Sequence, residues 1–304
     1  MLVVFGSINA DLLFKVEALP RPGETVLCPD YTFAPGGKGA NQAAAAAKAG
    51  AEVRFVGNVG GDAYGPVVRR LLAEAGVEVD ALGTVDRPTA IAVIGVDARG
   101  ENAIIVASGA NLETRATQVP DAWLAPGTTV LCQNEIRSEE TFALLRRARD
   151  RGARTILNLA PASPVPPEVL GALDLLVVNE IEAAMAAGHE ATTPEALARE
   201  LHRRFGLTCV VTLGAQGALA AGPDGLHRVS SLAVEPVDTT GAGDAFVGVL
   251  AACLDRGRRL PEALHRASVA AGLACERVGA QTAQPRHPEI EARLADCPPP
   301  VRHP

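Results

Sequence analysis

A three-layer α/β fold, with a mostly parallel central sheet flanked by helices and a small β-rich insertion, follows from three features of the sequence. Short β-branched runs alternate with longer helical patterns, the apolar runs are continuous, and turn residues punctuate many of the joins. Such alternation makes the helices crossovers between parallel strands, and continuous apolar strands are those covered on both faces.

The strands expected in the sheet are "LVVF" at 2–5, "VRFV" at 53–56, "TVLC" at 129–132, "RTILN" at 154–158, "DLLVVN" at 174–179 and "TCVVTL" at 208–213. Helices are expected between them at about 38–50, 65–76, 138–152, 193–206, 243–256 and 261–278. Thr193 followed by Pro194 and Glu195 starts one helix, and Gly206 stops it. Residues 11–35 and 87–108 break the rhythm. There "TAIAVIGV" and "NAIIVA", joined by "DARGE", form a β-hairpin, with "DLLFKV" and "YTFA" as candidates to pair beside it. No linker or internal repeat divides the chain, so residues 1–297 are expected to form one domain carrying this insertion. The proline-rich segment 298–304 is expected to be an irregular tail.

Composition narrows the classes of function. The 304 residues are 48% hydrophobic and 21% charged, which is globular composition. The net charge of −7, from 28 basic and 35 acidic residues, gives no global electrostatic drive toward nucleic acid or an acidic membrane. Six scattered cysteines without a CxxC pair fit reduced thiols in a cytoplasmic protein. The start "MLVVFGSINADLL" lacks the basic flank of a signal peptide, and "ANQAAAAAKAGA" is too short and interrupted to span a bilayer. A soluble, cytoplasmic protein is expected.

Three stretches carry candidate chemistry. In "PVDTTGAGDAF", residues 236–246, Gly241, Ala242 and Gly243 lead into an apolar helix, where converging N–H groups and the helix dipole favour an anion. Asp244 read alone is either a helix-dipole carboxylate, stabilising by about 0.3–1 kcal/mol, or a general base beside a phosphate-binding turn. In "PGGKGANQA", residues 35–43, glycines permit close backbone approach while Lys38 and Asn41 offer donors to sugar hydroxyls. A helix-initiating turn with a solvent-facing lysine would look the same. In "GSINADLL", residues 6–13, Asn9 and Asp11 follow the first strand, at the sheet edge where α/β proteins place ligands. An Asn/Asp turn is the alternative there.

Taken together and in order, these stretches resemble the ribokinase family of carbohydrate kinases. The resemblance covers residues 2 to about 285 and extends to "GANL" at 109–112, "NEIE" at 179–182 and "VTLGAQG" at 211–217. "GSINAD" and "GGKGANQA" look like the ribose kinases of that family more than its fructose, ketodeoxygluconate or nucleoside kinases. The resemblance implies ATP-dependent phosphorylation of the primary hydroxyl of D-ribose. It makes Asp244 the catalytic base and the N–H groups of Gly241, Ala242, Gly243 and Asp244 an anion hole. The sugar would lie across Asn9, Asp11, Gly37, Lys38, Asn41, Glu135 and Asp244. Asn179, Thr212, Gly214, Gly243 and Ser268 would border the nucleotide, and Glu182 would hold water around Mg²⁺. A monovalent cation, K⁺, would take the Asp238 carboxylate and the carbonyls of Thr240, Ala274, Arg277 and Gly279. The sequence departs from the family here, having Ala283 where a serine is usual. The β-rich insertion corresponds to a lid over the sugar, through which two subunits clasp into a homodimer.

Other readings stay open at this point. The scaffold could serve another sugar or a nucleoside, although two tyrosines and one tryptophan offer little for stacking a base. A non-catalytic sugar-binding protein is disfavoured by the intact Asp244 and glycine turn. A nicotinamide dehydrogenase lacks its GxGxxG after the first strand.

Overall fold

In a computed structural model of the chain, residues 1–189 and 193–303 are described. The first half contains β1 (Leu2–Phe5), β2 (Asn9–Lys15), β3 (Tyr31–Gly36), α1 (Lys38–Lys48), β4 (Val53–Gly60), α2 (Gly65–Glu74), β5 (Leu82–Val85), β6 (Ala90–Val96) and β7 (Asn102–Ala107). Then come β8 (Thr129–Cys132), α3 (Ser138–Asp150), β9 (Arg154–Asn158), α4 (Pro167–Leu170), β10 (Leu175–Asn179), α5 (Glu180–Ala187) and α6 (Pro194–Phe205). The chain closes with β11 (Thr208–Thr212), β12 (Ala218–Gly222), β13 (Gly225–Val229), α7 (Ala242–Asp255), α8 (Leu260–Cys275), α9 (His287–Ala292) and β14 (Val301–His303).

The main sheet runs β14-β13-β12-β11-β10-β9-β8-β1-β4-β5. It is parallel from β11 through β5 and antiparallel at the β12–β14 edge. All four residues of β1 are fully buried, and they divide by parity. Leu2 and Val4 join a core with α1, α2, α7 and α8, while Val3 and Phe5 join one with α3 to α6. This two-sided burial is why the strands read as continuous apolar runs. The α6 boundaries follow their signals: Thr193 Oγ1 accepts from the Ala196 N–H at 3.2 Å, and Gly206 closes the helix in the left-handed region at φ 73°.

The insertion is a separate four-stranded sheet, β3-β2-β6-β7, whose strands fall within the two segments expected to supply it, except that β2 starts at Asn9 and β3 ends at Gly36. The tail departs from expectation. Val301–His303 pairs antiparallel with Leu226–Arg228, so this segment is an edge strand and not wholly irregular. Pro298, Pro299 and Pro300 hold the backbone extended just before it, and an edge strand needs donors on one side only. Among the described residues, no helix is long and apolar enough to cross a membrane.

Candidate active site

The C-terminal ends of β1, β8, β9, β10 and β11 converge on one edge of the sheet, and the N-termini of α1 and α7 point into the same region. At its centre Asp244, in the first turn of α7, is buried with both carboxylate oxygens held. Asn41 Nδ2 donates to Oδ2 at 2.9 Å and Gln42 Nε2 donates to Oδ1 at 2.9 Å. Burial pushes the Asp244 pKa up. The Lys38 charge and the Asn41 and Gln42 hydrogen bonds oppose that rise, and Glu135 adds to it. The net direction is upward, so this carboxylate takes up a proton more readily than an exposed one.

Around it lies a polar pocket. Asp11, on β2, is pushed up to about 7, chiefly by burial and then by the charges of Glu135 and Asp244. Its side chain lies over the backbone of Gly36, where a Cβ would sit 2.0 Å from Oδ2, so only glycine leaves room for it. Glu135 Oε2 accepts from the Lys38 N–H at 2.8 Å and from Ser7 Oγ at 2.6 Å. Ser7 Oγ in turn accepts from the Gly39 N–H at 3.1 Å. Asn9 Oδ1 accepts from Asn111 Nδ2 at 2.8 Å, which turns the Asn9 amide NH₂ away from that bond. The Asn111 Oδ1 itself accepts from the Ile8 N–H at 3.1 Å. Asn9, Asp11, Gly37, Lys38, Asn41, Glu135 and Asp244, the seven residues expected to meet a sugar, thus gather at one place. Ser7 and Asn111, which hold two of them, carry no motif signal of their own, although both stand inside quoted stretches.

On the other side of Gly243 opens a cleft of about 540 Å³, lined by Thr212, Gly214, Gly243 and Ser268 among others. Its walls are largely apolar, from Leu232, Val234, Phe246, Ala271 and Gly272. The wall between Ser231 and Pro236 has no regular secondary structure, so no periodicity marks it in the sequence. Ser268 is already engaged, donating to the Ser230 carbonyl at 2.6 Å. Asn179 stands one strand over, in register with Thr212, and caps α5. Its Oδ1 accepts from the Glu182 N–H while Glu182 Oε2 accepts from the Asn179 N–H, each at 2.8 Å. Glu182 is buried and its pKa raised by that burial, against the Asn179 hydrogen bond and the Lys38 charge.

The turn before α7 has Gly241 in the left-handed region at φ 76°. Its four-residue donor set narrows, because the Ala242 N–H already donates to the Thr239 carbonyl at 3.2 Å. Helix geometry leaves the Gly243 and Asp244 N–H groups without intrahelical acceptors, and a Cβ on Gly243 would meet open space. Behind the turn, Asp238 accepts from the Thr240 N–H at 2.9 Å and the Gly279 N–H at 2.8 Å. Burial works to raise its pKa, but hydrogen bonds from Thr240 and Gly279 outweigh it and hold Asp238 low, hence ionised. The segment carrying Ala274, Arg277 and Gly279 is therefore beside Asp238 and Thr240, while Ala283 is fully buried.

A polar pocket joined to an apolar cleft at a glycine-rich helix start is what a phosphoryl transfer between two small molecules needs. The family model of pfkB family carbohydrate kinases matches residues 1–287. The chain belongs to the pfkB family of carbohydrate kinases. Among curated relatives of this kinase, the ribokinase of Bacillus subtilis (strain 168) is 36% identical over 294 residues, covering 96% of this chain and 98% of that one. A ribokinase from Arabidopsis thaliana, solved in complex with ribose and ATP, superposes with a TM-score of 0.86 at 32% identity, covering 96% and 98%. A ribokinase from Thermotoga maritima gives a TM-score of 0.87 at 32% identity, covering 97% and 99%. The kinase shares with them the mostly parallel sheet and the small second sheet.

Proposed function

We propose that this kinase transfers the terminal phosphoryl group of ATP to the primary hydroxyl of D-ribose, giving ribose 5-phosphate and ADP. The observation that carries the reading is the buried Asp244 carboxylate, fixed by two amide donors at the seam between the polar pocket and the apolar cleft. The relatives named above are ribokinases, and one was solved with both ribose and ATP.

Ribose lies among Asn9, Asp11, Gly37, Lys38, Asn41 and Glu135, whose amides and carboxylates pair its hydroxyls. A sugar lacking one hydroxyl leaves a buried group unpaired. The primary hydroxyl gives its proton to Asp244 as its oxygen bonds to phosphorus and the bond to the ADP oxygen breaks. The Gly241, Gly243 and Asp244 N–H groups face the charge that develops on the transferring group. The nucleotide occupies the cleft beside Thr212, Gly214, Gly243 and Ser268, with Asn179 toward its phosphates.

The donor set suits a water-rich Mg²⁺. Among the described residues no group of three His, Cys, Asp or Glu is placed to hold a metal ion by itself, and Glu182 offers one buried carboxylate near Lys38. Mg²⁺, when bound, neutralises phosphate charge there. K⁺ suits the ionised Asp238 beside the loop carbonyls of Thr240, Ala274, Arg277 and Gly279, with one fewer protein oxygen because of Ala283. Bound, it places positive charge behind the glycine turn. The β3-β2-β6-β7 sheet closes over ribose and excludes water as a competing acceptor, and a second copy docks on it. Six free thiols fit a reducing cytoplasm.

Asp244→Asn keeps the shape and removes the base. It should lower kcat by about 10²–10⁴-fold while calorimetric ribose affinity stays within about tenfold. Turnover retained in this variant would contradict the assignment.

A further inference from the structure

Gln42 is fully buried in α1, between Asn41 and a run of alanines, and the sugar-binding and phosphoryl-transfer roles above do not use it. A buried primary amide is costly unless its donors and acceptor are all matched. Here they are. Its two donors go to Asp244 Oδ1 at 2.9 Å and Asn158 Oδ1 at 2.8 Å, and its Oε1 accepts from Gln133 Nε2 at 2.7 Å. Asn158, at the end of β9, is itself fixed by donating Nδ2 to the Val177 carbonyl at 3.1 Å. Gln133, just past the end of β8, is fully buried as well. The amide is therefore held from two strands of the sheet, with one donor aimed at the carboxylate.

Asn41 differs in kind. It holds the other oxygen of Asp244 but lies in the sugar pocket, so changing it alters both contacts together. Gln42 touches Asp244 from the protein side alone.

We propose that Gln42 is a positioning residue for Asp244, anchored to the sheet by Gln133 and Asn158, which locks the carboxylate in the orientation that accepts the sugar hydroxyl's proton. The inference rests on Asp244 acting as the base. Its hydrogen bond also favours the ionised carboxylate, alongside the Lys38 charge and the Asn41 amide and against the charges of Glu135 and Asp11. Without Gln42 the carboxylate is freer to rotate and keeps its proton to higher pH.

The test is steady-state ADP formation with ribose across the pH range, on the full chain, for Gln42→Met and Asp244→Asn side by side. Methionine keeps length, flexibility and helix preference. The expected result for Gln42→Met is kcat lowered by about 10–100-fold, KM for ribose within about threefold, and the acid limb of the kcat profile moved to higher pH. A purely structural role would not move that limb. Gln133→Met, which leaves Gln42 in place but frees its carbonyl end, should give a smaller change in the same direction, and it decides the matter if Gln42→Met does not fold. A folded variant with an unmoved acid limb and unchanged kcat overturns the proposal. If Asp244→Asn itself retains turnover, the base assignment fails first, which is a different outcome.

Discussion

Asp11 has an ordinary carboxylate value of 3.8, and burial, reinforced by Glu135 and Asp244, pushes it up to about 7 in the fold. Between those values the folded chain holds a proton that the unfolded chain releases. Stability contributed by this group therefore falls as pH rises through that window, and above it the penalty is complete. Asp11→Asn removes the penalty, so without sugar the variant should melt roughly 2–6 °C above the parent on the alkaline side. That difference should vanish toward the acid end of the window, while ribose binding weakens. Melting curves across pH check this, and a pH-independent difference would contradict it. At this scale the sequence was partly legible. Asn9 and Asp11 open β2 just past the glycine that ends the first strand, and Lys38, Asn41 and Asp244 stand at glycine-rich helix starts, where polar residues attract notice. Gln42, Gln133 and Asn158 escape it, because an amide at the head of an alanine run or at a strand end has no period, and the partners that explain these three lie far away in sequence.

Helices α1 and α7 bring Asn41 and Gln42 to Asp244, and they do so by packing closely. Residues 244 and 248 share a face of α7, one turn apart. A Cβ at Gly248 would stand 2.4 Å from the Gln42 carbonyl oxygen and 2.7 Å from Ala45 Cβ. Alanines 43–46, all buried, complete that thin interface. Gly248→Val should force the helices apart, costing about 1–3 kcal/mol as overpacking does and reducing kcat through the displaced amides. Thermal melts and kinetics together check it, and a stable variant with undiminished kcat would show that the close approach is not needed. The alanine run was readable as a helix, but its reason for being alanine lies 200 residues away. Elements α4, α5, α9, β5, β12, β13 and β14 were absent from the expected set, most of them for a physical reason. β5 buries one of its four residues and so carries no apolar run, "ALAAG" in β12 has weak strand preference, and α4, α5 and α9 are only four, eight and six residues long.

For the whole molecule, the layered sheet was the most legible feature, since two-sided burial writes continuous apolar runs into the sequence. Its edges were the least, because edge strands such as β14 need few residues and little apolarity. The small sheet leaves an outer strand of unusual character. All of β7 is exposed, and Ile104, Ile105 and Val106 are 53%, 73% and 50% accessible. Such a strand invites association. If the proposed homodimer forms through it, Ile105→Glu should convert the dimer to monomer in light scattering and leave the fold intact. An unchanged mass would place any assembly elsewhere. The reaction itself is tested by ADP formation over ribose, deoxyribose, fructose and ribonucleosides, with the phosphorylated product identified by ³¹P NMR. The highest kcat/KM is expected for ribose, with the phosphate on its primary hydroxyl and a further rise when K⁺ is added. Turnover of another sugar or a nucleoside with none on ribose would contradict it.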